Sequence, residues 1–200
     1  MTAHATPSLL VVVLAAGQAR RFGSAKQMAR FQGQTLLQGA LARAIALGSQ
    51  QVAVVLGAGA QQLTPLIRHT PATLLINRDW EEGMASSLRV AAAHAQGRWD
   101  GLLITLVDQP AVTVSDLQRL QAAWLRNPDS LVAAGFSGTV GAPAIIPAWC
   151  YADLLALRGD QGARALLQRH APRLLRVDMP AAALDVDTPE DLQALNAPPG

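Results

Sequence analysis

Of the 16 basic residues in this chain only one is a lysine, Lys26, and it closes a loop marked by two glycines. The stretch reads Leu14-Ala15-Ala16-Gly17-Gln18-Ala19-Arg20-Arg21-Phe22-Gly23-Ser24-Ala25-Lys26 and follows an apolar, Val-rich run. Gly17 and Gly23 let the backbone approach a phosphate closely, and Arg21 and Lys26 can neutralise it. An ammonium is a compact point charge where a guanidinium is a planar fork, so a lysine retained here is a candidate for chemistry. The spacing is not that of a P-loop, which needs its lysine directly after the second glycine, and it lacks the Gly-x-Gly pair of a dinucleotide fingerprint. Gly57-Ala58-Gly59 starts like that fingerprint, but Gln62 stands where the third glycine belongs, so a plain turn is expected.

Carboxylates supply the second half of a phosphate site. Asp108 ends the apolar run Leu102–Val107 and precedes Gln109-Pro110. At the carboxyl end of a parallel strand it points into the crevice where α/β proteins bind ligands; its alternative role is a cap for the next helix. Asp185 and Asp187 alternate, so in an extended segment they share a face. Mg²⁺ binds through one or two carboxylates plus substrate phosphates and water. Asp185 is open between orienting Asp187 and being solvated, whereas Glu190 and Asp191 suit the first turn of a helix. Gly83-Met84-Ala85-Ser86-Ser87 runs into a helix N-terminus, whose amides and hydroxyls can read a base edge or bind an anion. Gly159-Asp160-Gln161-Gly162-Ala163-Arg164 places an arginine at another helix start, where it suits a phosphate, with Asp160 equally suited to an N-cap.

The elements that must hold these residues alternate. Strands are predicted at Leu9–Leu14, Val52–Leu56, Thr73–Ile76, Leu102–Val107, Leu131–Ala134 and Leu174–Val177. Helices are predicted at 36–47, 61–68, 86–95 with Ser86 or Ser87 as cap, 113–125, 151–157, 162–170 and from Thr188 onward. Gly135–Pro147 reads as a hairpin or an excursion over the site. This is the pattern of an α/β fold with a mostly parallel sheet. The 200 residues carry no internal repeat and no linker, so one domain, with an ordered core of about 8–196, is expected.

These motifs jointly resemble the nucleotidyltransferases that complete the molybdenum cofactor. Leu14 to Lys26 resembles their signature, with Phe22 where methionine is usual. Asn77-Arg78-Asp79-Trp80-Glu81-Glu82-Gly83-Met84-Ala85-Ser86-Ser87-Leu88, Asp108-Gln109-Pro110, Gly159 to Arg164 and Asp185-Val186-Asp187-Thr188-Pro189-Glu190-Asp191 follow in the family's order. The resemblance is strongest to the cytidylyltransferase branch. It implies a Rossmann-like three-layer α/β/α domain that moves CMP from CTP to the terminal phosphate of molybdopterin. It implies Mg²⁺ held by Asp108 and Asp187, with Lys26, Arg21 and Asp108 as catalytic residues. Leu14, Ala15, Ala16, Gly17, Arg21, Gly23, Lys26, Gly83, Ser86 and Ser87 would bind the nucleotide, and Gly162 and Arg164 the acceptor. Ala16, where guanylyl-transferring relatives carry a second glycine, favours CTP. A molybdoenzyme or its maturation chaperone is the expected recipient of the product.

Other classes fit less well. No basic run is interleaved with aromatics, so no nucleic-acid partner is expected. Leu9–Ala16 is too short to span a bilayer and no basic residue precedes it, which leaves the cytoplasm by default. The lone Cys150 excludes an internal disulfide and is expected to pack. His4, His69, His94 and His170 lack ligand spacing. The rivals are a GTP-using guanylyltransferase, a sugar-nucleotide pyrophosphorylase, for which the chain is short, and a non-catalytic cofactor carrier, which has no need of a metal clamp.

Overall fold

The computed structural model describes residues 6–18 and 22–197. Leu9–Ala15 forms β1, with all seven side chains buried, as an unbroken Leu/Val run covered on both faces must be. After the glycine loop come two short strands, β2 (Arg30–Phe31) and β3 (Gln34–Thr35), paired with each other and absent from the sequence reading. Helix α1 (Leu36–Ala46) starts at Thr35, whose hydroxyl accepts from the Gln38 amide in a capping box. Then follow β4 (Gln51–Leu56), α2 (Ala60–Ile67) and β5 (Thr73–Ile76).

Helix α3 spans Met84–Ala95 and begins two residues before the expected start. Its N-cap is Gly83, not Ser86 or Ser87; both serines lie inside the first turns and bond to Asn77 instead. β6 (Gly101–Leu106) leads to α4 (Val114–Arg126), capped by Thr113 with Asp116 in its first turn. The glycine-rich stretch is a hairpin of β7 (Leu131–Phe136) and β8 (Thr139–Pro147). Short helices α5 (Tyr151–Leu155) and α6 (Ala163–Arg169), strand β9 (Leu174–Asp178) and helix α7 (Pro189–Asn196) complete the chain.

The large sheet runs β5-β4-β1-β6-β8-β7-β9, and β8 alone among its strands is antiparallel to its neighbours. Side chains alternate along β1 in two layers. Val11 and Val13 face α1, α2 and α4, while Leu10 and Val12 face α3, α5 and α6. From β1 the chain moves outward to β4 and β5, then returns to lay β6 on the other side of β1. A crevice must open where the direction reverses, at the carboxyl ends of β1 and β6. None of the described helices is long and apolar enough to cross a membrane.

Candidate active site

The loop leaving β1 is fastened from two sides. The Gln27 amide donates to the carbonyls of Ala15 and Gly17, both at 3.0 Å, and so brackets Ala16. The Ala58 amide donates to the Ala16 carbonyl at 3.0 Å. Gly57-Ala58-Gly59 is therefore more than the plain turn expected. A Cβ on Gly57 would lie 2.6 Å from Trp80 Cβ and 2.8 Å from the Ala16 carbonyl oxygen, so glycine permits a close approach of three segments. Gln27, only 3% exposed, went unnoticed in the sequence, where an uncharged residue beside Lys26 gave no signal. Replacing Gln27 with leucine removes the donor from two carbonyls. We expect a loss of about 1–3 kcal/mol in a urea melt, with KM for the nucleotide raised several-fold.

The charged residues meet at the crevice. Lys26 Nζ lies 2.9 Å from Asp108 Oδ2 and 3.2 Å from Asp187 Oδ1. Asp187 reaches this point because the Val186 amide donates to the Asp108 carbonyl at 2.8 Å, hooking the C-terminal segment onto the end of β6. The Asp191 carboxylate then accepts from the amides of Asp187 and Thr188 and closes the capping box of α7. Asp108 Oδ1 is buried and has no hydrogen-bond partner among the described residues. An orphaned carboxylate oxygen beside a second carboxylate is a donor set that fits a hard divalent cation. Asp185 is the third acid. Partial burial of its carboxyl, and then the neighbouring charges of Asp108 and Asp187, hold its pKa above the usual carboxylate value.

Across the crevice the start of α3 is braced. Asn77, 1% exposed, donates to the hydroxyls of Ser86 and Ser87 at 2.8 and 3.0 Å, and Ser86 donates to the Gly83 carbonyl at 2.7 Å. Glu82 pairs with Arg89 through both carboxylate oxygens, and the Gly159 amide donates to Glu82 at 3.2 Å. The Arg89 hydrogen bond, then that amide, hold the Glu82 carboxyl down at about 2. A depressed pKa gives stability that is present above the unfolded value and lost only as pH falls toward 2, so this brace stays charged at neutral pH. Arg89 also donates to the Leu157 carbonyl, and the Ala85 amide to the Gly159 carbonyl. The loop preceding α6 is thereby tied to α3.

A cavity of about 530 Å³ occupies the crevice. Its walls include Leu14, Ala15, Ala16, Gly17, Lys26, Gly83, Ser87, Asp108 and Asp187 from the sequence reading. Trp80, Met84 and Asp160 also line it and were not singled out there for nucleotide contact. Ser86 is buried behind the wall and serves as a brace. Gly23 does not line this cavity; with Ala58 and Gly59 it lines a neighbouring depression, which shares Gly17 and Gln27 with the larger one. Arg21 lies outside the described residues. Gly162 and Arg164 line a smaller cavity of about 170 Å³ with Phe136, Gln109 and Asp185. That cavity shares Leu14, Met84 and Leu106 with the larger one, so the two are neighbours. The Cys150 thiol is fully buried and its pKa is pushed up to about 12, mainly by burial, so it is no nucleophile for this site.

Residues 11–174 match the MobA-like NTP transferase domain. The chain belongs to this family. It is 31% identical to the nicotine blue oxidoreductase of Paenarthrobacter nicotinovorans, covering 94% of this chain and 97% of the relative. It is also 31% identical to the purine catabolism protein PucB of Bacillus subtilis, over 93% and 95% of the two chains. The molybdenum cofactor cytidylyltransferase of Escherichia coli is 21% identical over 90% of this chain and 91% of that one. Among solved structures, Rv0371c of Mycobacterium tuberculosis superposes with a TM-score of 0.83 at 30% identity, covering 96% of this chain and 99% of its own. A complex of Rv0371c with manganese gives a TM-score of 0.78 at 29% identity, over 94% and 98% of the chains. MobA-like membership makes this chain a nucleotidyltransferase, with the mostly parallel sheet of that fold.

Proposed function

We propose that this chain transfers CMP from CTP to the terminal phosphate of molybdopterin, releasing pyrophosphate and forming molybdopterin cytosine dinucleotide. The observation that carries the reading is the meeting of Lys26, Asp108 and Asp187 in the wall of a nucleotide-sized cavity that neighbours a smaller one lined by Arg164. Asp108 and Asp187 would hold Mg²⁺, for which the orphaned Asp108 oxygen provides a ligand; the manganese complex of Rv0371c accords with a divalent ion. When bound, the cation neutralises phosphate charge and fixes its geometry.

The reaction needs no protein nucleophile. An oxygen of the acceptor phosphate attacks the α-phosphorus of CTP in line, the bond to the β-phosphate oxygen breaks, and pyrophosphate leaves. Lys26 lies where it can stabilise the charge that builds on the α-phosphate oxygens. The fastened loop Ala15-Ala16-Gly17 and the Gly83 turn hold the nucleotide, and Arg164 on the rim meets the acceptor phosphate. Ala16, a buried residue that lines the larger cavity, stands where guanylyl-transferring relatives carry a second glycine, which favours CTP.

The test is pyrophosphate release with Mg²⁺ and molybdenum-loaded molybdopterin, with CTP and GTP in parallel. Release with CTP alone is expected. Release with GTP alone would keep the mechanism and overturn the base assignment. Release with neither would leave another phosphorylated acceptor, or a carrier role, in its place.

A further inference from the structure

A second cluster of chemically capable side chains lies away from the cleft. Helices α5 and α6 flank the loop that carries Asp160, and at their opposite ends three residues converge. Cys150 immediately precedes α5, Asp153 lies in its first turn, and His170 immediately follows α6. His170 Nε2 lies 2.7 Å from Asp153 Oδ2, and Cys150 Sγ lies 3.7 Å from the same oxygen. The three donor atoms all fall within 4.8 Å of one another. The sequence spacing of the histidines and the lone cysteine gave no hint of this meeting, because it depends on α5 and α6 folding back on each other.

Thiol, imidazole and carboxylate together form the donor set of zinc-type ions, unlike the all-oxygen set of Asp108 and Asp187. In a tetrahedral site with bonds of roughly 2.0–2.3 Å the ligand atoms stand roughly 3.3–3.8 Å apart. The observed spacings need to change by about an ångström or less to reach that arrangement. A dication would also balance a thiolate and a carboxylate, the thiol proton passing to solvent on binding. Arg169 approaches the other oxygen of Asp153, Oδ1, at 3.7 Å and leaves Oδ2 to the cluster. The His170 ring is steadied edge-on by Trp149, centroids 5.1 Å apart, over which Arg173 is stacked. Cys150 is buried, whereas the Asp153 and His170 side chains keep 35% and 22% exposure, which gives an entry side and room for a water ligand. Hydrogen bonds account for each contact singly; a shared cation would account for thiol and imidazole both converging on the one oxygen, Asp153 Oδ2.

We propose that Cys150, Asp153 and His170 form a binding site for a zinc-type divalent cation that staples α5 to α6. The staple would stiffen the helix pair whose connecting loop and α6 start supply Asp160 to the larger cavity and Gly162 and Arg164 to the smaller one. The proposal does not depend on which nucleotide or acceptor the cleft takes.

Co²⁺ titration of the metal-stripped protein, with excess Mg²⁺ present to occupy the cleft carboxylates, tests it. A near-ultraviolet sulfur-to-cobalt charge-transfer band saturating at one equivalent is expected, displaced by Zn²⁺, and Zn²⁺ should raise Tm. With one cysteine in the chain, that band can come only from Cys150. Cys150→Ser should abolish it. His170→Gln, at a partly exposed position that folding tolerates better, should weaken Co²⁺ affinity by more than the ~10–100-fold typical of disturbing an outer-shell partner. Absence of the band at saturating Co²⁺ would overturn the proposal. So would unchanged affinity in His170→Gln, or an equal Zn²⁺-dependent rise in Tm in wild type and both variants.

Discussion

Asp108→Ala is expected to lower kcat for nucleotidyl transfer by on the order of 10³-fold or more, while CTP affinity falls far less. Asp108 presents one oxygen to Lys26 at 2.9 Å and keeps the other buried, without a partner among the described residues. Removing it would take away a proposed cation ligand and free Lys26 to turn wholly toward Asp187. Asp187→Ala should fall in the same range. The double variant should lose little more, because groups that act as one unit are strongly non-additive. Stability should move the other way or hardly at all. Asp108 stands near Asp185 and Asp187, and its charge is among the causes that raise the Asp185 pKa. Deleting it relieves like-charge repulsion at the end of β6. Pyrophosphate release and thermal melts on the same preparation separate the two effects. Wild-type turnover in Asp108→Ala would remove this carboxylate from the chemistry, whatever the melt showed.

How far the sequence foretold this arrangement depends on the range of the interactions involved. β1 and β6 were plain because each is a continuous apolar run, and a strand buried on both faces admits little else. Their carboxyl ends followed from the α/β alternation, which put Lys26 and Asp108 near one crevice. Asp187 depended on the resemblance, since the amide–carbonyl bond from Val186 to Asp108 that brings it to β6 spans a large sequence separation. The small β2–β3 hairpin was missed because two-residue strands have no detectable period. The start of α3 was misplaced for a chemical reason. Ser86 and Ser87 are typical cap residues, but the buried Asn77 amide claims both hydroxyls, and the helix begins at Met84 behind a glycine. The contacts of Trp80 and Gln27 were not foreseen because they are made with distant segments, which leaves no local pattern.

That same glycine gives the other large effect: Gly83→Ala should cost about 2–4 kcal/mol of stability and more than tenfold in kcat/KM. Gly83 has φ 114° and ψ −168°, a region that residues with a Cβ rarely enter. Sterics add to the strain. A Cβ here would overlap Asp160 Oδ1 and lie 2.7 Å from the Gly159 carbonyl oxygen. The loop would have to retreat, stretching the Ala85–Gly159 bond of 3.1 Å and the Gly159–Glu82 bond of 3.2 Å. Gly83 and Asp160 both line the larger cavity, and Gly162 lines the smaller one beside it. KM should therefore rise for nucleotide and acceptor together, unlike the kcat-dominated loss in Asp108→Ala. Adding Asp160→Gly to Gly83→Ala removes the side-chain overlap but not the backbone strain, so only part of the stability should return. Full recovery in the double variant would assign the whole cost to Asp160. A wild-type unfolding midpoint in Gly83→Ala alone would show that the loop before α6 does not pack against Gly83 as described.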